Sequence, residues 1–281
     1  MLTLTTADYL KYANLQMAAE AFIRDEKTLE LFGTGQPLIE ILKAGNKRSL
    51  LFTETQATAF AGQWEVVDQR ANTPTGFSGT LFKAIKDNAA LGIKKDDLVV
   101  SFRSTEFIDD FARDNKGTNE LELAEGGFAL GQIADMEAWY SELAADPSKL
   151  AGKTYSVTGY SLGGHLATVF NQLRQAEIQQ GPPRANLADV ITFNGAGVGQ
   201  IGNGSLSAIV NRFVDLRRQA ATTEGLSRMF STDTGKQIYA DLRAEIAANQ
   251  GVLTSAMRDR VATAFGTIGE DRKSTRLNSS H

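Results

Sequence analysis

The chain has no cysteine in its 281 residues, which excludes disulfides, thiolate metal sites and a cysteine nucleophile. Histidine is almost as scarce: there are two, His165 and His281, so a hydroxyl nucleophile has few partners for the base it ordinarily needs. No stretch approaches the roughly 20 apolar residues that cross a bilayer. The first eight residues carry neither the basic cluster nor the apolar run of a signal peptide. Charge of one sign is not in large excess, with 29 Lys and Arg against 33 Asp and Glu and a net charge of −4, so the basic footprint of a nucleic-acid binder is missing. What is present is 42% hydrophobic residues, enough for a sizeable core in one large domain or one and a half. The chain reads as soluble, in keeping with the cytoplasm or with export by a route that does not use disulfides.

Periodicity predicts a helix over 6–23, with Leu10, Ala13, Met17 and Ala21 at helical spacing and Thr5 or Thr6 as cap, and a weaker helix over 28–44. Strands are expected over 64–69, 76–84 and 97–105, with a turn at 72–76 between the first two. A helix over 128–143 precedes a third region of interest, where a strand (154–158) meets a helix running to about 180, followed by a buried strand at 189–193. This β-α-β-α-β order predicts a mostly parallel sheet with helices on both faces. After residue 204 the pattern is helical only, over 206–217, 232–248 and 252–265. The expected organisation is an α/β core over 1–200 with N-terminal helices in 1–45, a helical insertion or continuation over 201–269, and a non-native or disordered tail over 270–281.

The strand-to-helix junction reads Gly159-Tyr160-Ser161-Leu162-Gly163-Gly164. A serine flanked two residues away on each side by glycine, between a strand and a helix, has the pattern of a nucleophile elbow. Small neighbours let strand and helix approach closely, and the turn lifts the hydroxyl above the sheet. The helix N-terminus behind it aims N–H groups at developing negative charge. The bland alternative is a Gly-rich turn with a satisfied serine. His165 lies on the first turns of the same helix, where packing or a local hydrogen bond is its expected role. Residues 272–281 have no periodicity and no apolar face, and about 271–281 resemble a translated sequencing-adapter artefact. On that reading the natural frame continues past Gly269 and His281 is no base.

Three segments together resemble the class 3, fungal-type lipase family of the α/β-hydrolase superfamily: Val-Val-Ser-Phe-Arg-Ser-Thr-Glu at 99–106, Val-Thr-Gly-Tyr-Ser-Leu-Gly-Gly-His-Leu-Ala at 157–167, and Val-Ile-Thr-Phe-Asn-Gly-Ala-Gly-Val-Gly at 190–199. The resemblance spans roughly residues 60–200 and is nearest to bacterial members associated with repeat-in-toxin segments. It implies a C-terminally truncated α/β-hydrolase sheet with Ser161 as nucleophile and oxyanion donors from the backbone of Leu162 and Thr105. Ser104 departs from the family's usual glycine before that threonine. A lid is implied beyond it, with Phe107, Ile108 and Phe111 as its apolar face, the alternative being an ordinary core-packed helix. Asp215 has two readings, the triad acid or a solvated helix-face carboxylate beside Arg212, Arg217 and Arg218.

The function so implied is carboxylic-ester hydrolysis of lipase or phospholipase A type through an acyl-enzyme, by a fragment lacking the triad His and Asp and therefore weakly active or inactive. Lipid or ester at a lipid–water interface is the expected partner. No cofactor and no metal are expected in this segment, calcium being reserved for downstream repeats. Secretion follows from the resemblance alone, with the cytoplasm as alternative. A non-catalytic lipid- or partner-binding module and a serine acyltransferase are the competing readings.

Overall fold

A computed structural model describes residues 5–46, 51–104, 129–195, 197–198, 205–255 and 257–265. They divide into two compact units, one holding residues up to 104 together with 135–198, the other holding 129–134 and the residues from 205 onward.

The first unit is mixed α/β. Its sheet has five strands in sequential order: β1 (Trp64–Arg70), β2 (Gly79–Ala84), β3 (Leu98–Phe102), β4 (Thr154–Tyr160) and β5 (Asn186–Phe193). β1–β2 and β2–β3 pair antiparallel, β3–β4 and β4–β5 parallel. The expected mostly parallel sheet therefore holds only in its second half. Connection length explains the difference. The short return through Asn72–Gly76 permits only antiparallel neighbours, and residues 85–97 fold back on themselves through an Asn88–Ile93 bridge instead of crossing the sheet, whereas α4 (Leu130–Ala145) and α5 (Leu162–Gln180) supply the crossovers that parallel strands need.

Helices cover both faces. α1 (Thr6–Ala19), α2 (Gly35–Ala44) and α3 (Glu54–Ala61) bury Leu15, Leu38, Leu42 and Phe60 against Trp64, Val66, Phe82 and Val99. On the other face Phe102 packs on Phe170 of α5, and Phe77 on Trp139 of α4, with ring centroids 5.5 and 6.0 Å apart. α1 starts where Thr5 and Asp8 form a reciprocal capping box, and α3 where Thr53 and Gln56 do the same.

The expected helix over 28–44 forms only from Gly35 on. Upstream, the Asp25 carboxylate accepts the Lys27 and Thr28 amides, a local alternative to helix bonds. Arg24 and Leu31 then bridge as extended backbone.

The second unit is helical: α6 (Leu206–Ala220), α7 (Thr223–Ser231), α8 (Asp233–Ala248) and helical turns over 257–265. Leu226, Met229, Ile238, Leu242 and Val261 form its core. Thr222 and Thr232 cap α7 and α8 through the amides of Gly225 and Gly235. α7 was not anticipated. Among the described residues no helix is long and apolar enough to cross a membrane.

Candidate active site

β4 ends at Tyr160 and α5 begins at Leu162, so Ser161 alone makes the turn between them. Its backbone stands at φ 53° and ψ −118°, a conformation that costs an L-residue on the order of 1–3 kcal/mol. The turn is held from both sides: the Ser161 amide donates to the Phe193 carbonyl of β5 at 3.1 Å, and the His165 amide donates to the Ser161 carbonyl at 3.1 Å.

Two glycines are required by contact. A Cβ on Gly159 would lie 2.1 Å from the Gly163 carbonyl oxygen, and one on Gly163 would lie 2.2 Å from the Phe102 carbonyl oxygen. Neither neighbour is a side chain that swings aside, since both are backbone of packed elements. The spacing of glycine around the serine thus corresponds to a crossing of β4, α5 and the end of β3 closer than any side chain allows.

Among the described residues no group holds the hydroxyl of Ser161. A serine at a helix N-cap ordinarily has extended backbone and accepts from an amide of the first turn. At φ 53° Ser161 makes no such bond, and among the described residues its side chain has no hydrogen-bond partner.

Behind the hydroxyl, the amides of Leu162, Gly163 and Gly164 precede the first intrahelical bond and lie at the positive end of a helix of 19 residues. Leu162 is buried. β3 runs parallel beside β4 with Phe102 opposite Gly159, which brings the chain leaving β3 to the same end of the sheet. Thr105, expected there as the second donor, and the lid residues Phe107, Ile108 and Phe111 lie outside the described residues.

His165 is fully buried on α5. Its Nδ1 lies 2.9 Å from the Gly197 carbonyl oxygen, and burial pushes its pKa below the ordinary histidine value, a shift partly offset by that contact. It is a packed ring whose hydrogen bond goes to a carbonyl 32 residues along the chain. Asp215 sits on α6 with its side chain 62% exposed, paired to Arg218 at 2.7 Å, as a helix-face carboxylate. His281 lies outside the described residues. No group of three or more His, Asp or Glu side chains among the described residues is placed to hold a metal ion.

Sequence reasoning missed a polar cluster at the exit of β3. Gln16 on α1 and Glu20 at its C-terminal cap, four residues apart, are both buried. Glu20 Oε1 accepts from Gln16 Nε2 at 2.7 Å and from the Ser104 amide at 3.1 Å, and Gln16 Oε1 accepts from Ser101 Oγ at 2.7 Å. Burial raises the Glu20 pKa above the ordinary carboxylate value, while its bonds with Ser104 and the charge of Arg103 pull the other way. Only the i, i+4 spacing of Gln16 and Glu20 was visible beforehand, and that spacing reads as an ordinary helix-surface pair.

In comparisons with protein-family models, with curated proteins and with solved structures, none matches this chain.

Proposed function

We propose that the first unit is an α/β-hydrolase-type fold carrying the nucleophile of a carboxylic-ester hydrolase. The observation that carries the reading is Ser161: a strained φ of 53°, a hydroxyl with no hydrogen-bond partner among the described residues, and a helix N-terminus directly behind it. Strain kept at a polar residue where glycine would relieve it supports a functional position. The supporting chemistry is acyl transfer. Ser161 Oγ adds to the ester carbonyl carbon as its proton passes to a base, and the Leu162 amide and the α5 N-terminus stabilise the oxyanion. The carbon–oxygen bond to the alcohol then breaks, leaving an acyl-serine, and water repeats the sequence to release the acid.

His165 is not that base in this reading, because it is fully buried and its Nδ1 faces the Gly197 carbonyl. The reading therefore needs a base other than His165. Lipids and simple esters are the substrate class that the resemblance of the three segments supports.

The test is covalent labelling by a fluorophosphonate with peptide mapping. Label on Ser161, absent from Ser161→Ala, is the expected result. One observation favours a second reading, a non-catalytic module on the same scaffold: the one histidine among the described residues is already packed and bonded. No label at Ser161 in the folded chain, even with imidazole supplied in place of the missing base, would decide for that module and against hydrolysis.

A further inference from the structure

We infer that the groove between α1, α3 and the β2–β3 loop binds a medium-chain alkyl carboxylate, its chain on the apolar floor and its headgroup at Lys86. The groove is distinct from the elbow. Trp64 pairs with Ala84, Lys83 with Leu98, and Leu98 with Tyr155. It therefore lies at the end of the sheet where β4 starts, about 20 Å of strand from Ser161.

The floor comes from helical spacing. Gln56, Ala59, Phe60 and Gln63 recur at three- and four-residue intervals on and just after α3, and so share one face. Phe52, Phe60, Trp64 and Ile93 are almost fully buried, yet each leaves an edge on a cavity of about 460 Å³. That size falls within the ~300–1,000 Å³ of small-molecule sites. Leu10 of α1, also on this cavity, is 49% exposed. A lone exposed leucine needs no explanation, but this one extends the apolar surface of Phe60 and Trp64.

The opposite wall is fixed in advance. Gln63 Nε2 donates to the Lys86 carbonyl at 2.6 Å, Asn88 Nδ2 donates to Gln63 Oε1 at 3.2 Å, and the Ile85 amide donates to the Gln63 carbonyl at 3.0 Å. Three bonds to one residue thus hold the β2–β3 loop beside α3. The same loop presents Leu91 and Ile93 to the groove and is closed by the Asn88–Ile93 bridge. A wall formed before the ligand arrives needs little ordering on binding.

Charge selects the headgroup. Lys11 and Lys86 line the groove, and among the described residues lining it there is no Asp or Glu. Lys11 is partly answered, with Asp8 Oδ1 3.8 Å away and the Tyr12 ring beneath its ammonium. Lys86 is exposed and has no carboxylate partner among the described residues. Its Nζ would lie 3.8 Å from a Cβ on Gly62, which places the ammonium on the rim, at the C-terminal end of α3. The full charge of the ammonium outweighs the roughly half charge of that helix end. A ligand without negative charge gains the floor alone, and one without a chain gains only a screened surface contact.

The experiment titrates the full chain with decanoate by calorimetry, with octanoate and decyltrimethylammonium as comparisons. Decanoate should bind with a Kd of about 0.1 mM. Octanoate, two methylenes shorter, should bind about tenfold more weakly, and decyltrimethylammonium weaker than decanoate by about tenfold or more. Lys86→Glu should reverse the preference between decanoate and the ammonium. Leu10→Gln, at an exposed position, should weaken decanoate about threefold. Location is read with terminally brominated decanoate, which should quench the emission of Trp64; Trp64→Phe should abolish that quenching, since Trp139 packs on Phe77 on the other face. Ser161→Ala should leave the decanoate affinity unchanged. No binding of decanoate, affinity that ignores chain length, equal binding of the ammonium, or binding lost with Ser161→Ala would each overturn the inference. The last result would assign the alkyl chain to the elbow instead.

Discussion

Replacing Ser161 by glycine should stabilise the first unit relative to replacing it by alanine. Alanine removes the hydroxyl but keeps a Cβ, and therefore keeps the cost of φ 53° and ψ −118°. Glycine relieves that cost, which is about 1–3 kcal/mol for a residue held in so sparsely populated a region. Against this, glycine has more freedom to lose on folding, a penalty of about 0.4–1 kcal/mol relative to alanine. The net expectation is a gain of about 0.5–2 kcal/mol for Ser161→Gly over Ser161→Ala. For a unit of this size, each kcal/mol moves the midpoint by roughly 2–4 °C. Thermal and urea unfolding of the two variants, followed by near-ultraviolet signals from Trp64 and Trp139 in that unit, is the assay. Because both variants lack the hydroxyl, any difference between them reports the backbone alone. A glycine variant no more stable than the alanine variant would refute the claim that Ser161 is strained, and with it the strongest support for its functional role.

Gly163→Ala should destabilise the same unit by about 1–3 kcal/mol or more, because its Cβ would stand 2.2 Å from the Phe102 carbonyl oxygen. Gly197→Ala, where a Cβ would meet nothing within 4 Å, should be near neutral in the same urea titration. The buried His165 makes stability depend on pH in a definite sense. Its folded pKa is held below 6.5, so as pH falls through about 6.5 the unfolded chain takes up a proton that the folded chain refuses. Stability drops by up to about 1.4 kcal/mol per pH unit until the folded pKa is reached. His165→Asn should remove that slope. The difference between the two curves isolates the histidine from the buried acids Glu20 and Glu137, whose raised values act in the opposite sense, and parallel curves below pH 6.5 would refute the assignment.

What was legible in the chain was what is written locally. The elbow could be read because glycine spacing and a β-rich run before a helical run are properties of a dozen consecutive residues. The β1–β2 return was marked by Asn72–Gly76, and α6 by its repeating Leu206, Val210 and Phe213. α3 was missed because its apolar face reduces to Ala57 and Phe60, too few to show a period, although Thr53 and Gln56 spelled a capping box. The 28–34 segment looked helical by apolar spacing, but one carboxylate, that of Asp25, outcompeted helix formation by taking two amides. The polar cluster of Gln16 and Glu20 was invisible for a different reason. Its partner amide lies 84 residues away, and only the fold brings α1 over the exit of β3.

The conformation of Ser161 also separates it from an ordinary left-handed residue. Leu29, Asp96, Asn194 and Gln250 have positive φ as well, so the sign of φ alone does not single out Ser161; the left-handed helical well, which Asp and Asn enter readily, has ψ near +47°. Ser161 at ψ −118° is well outside that basin, so a tolerant residue type does not explain it. Packing does: Tyr160 stays in register opposite Phe193, Gly163 is pressed on the end of β3, and α5 must start within one residue of the strand. Three packed elements over-determine one dihedral pair, and the product of that constraint is a hydroxyl excluded from capping its own helix. A fold that needed only the turn would be served at least as well by glycine, of which the chain has 26, and would be more stable for it. The serine is the one position in the elbow where the chain forgoes that gain.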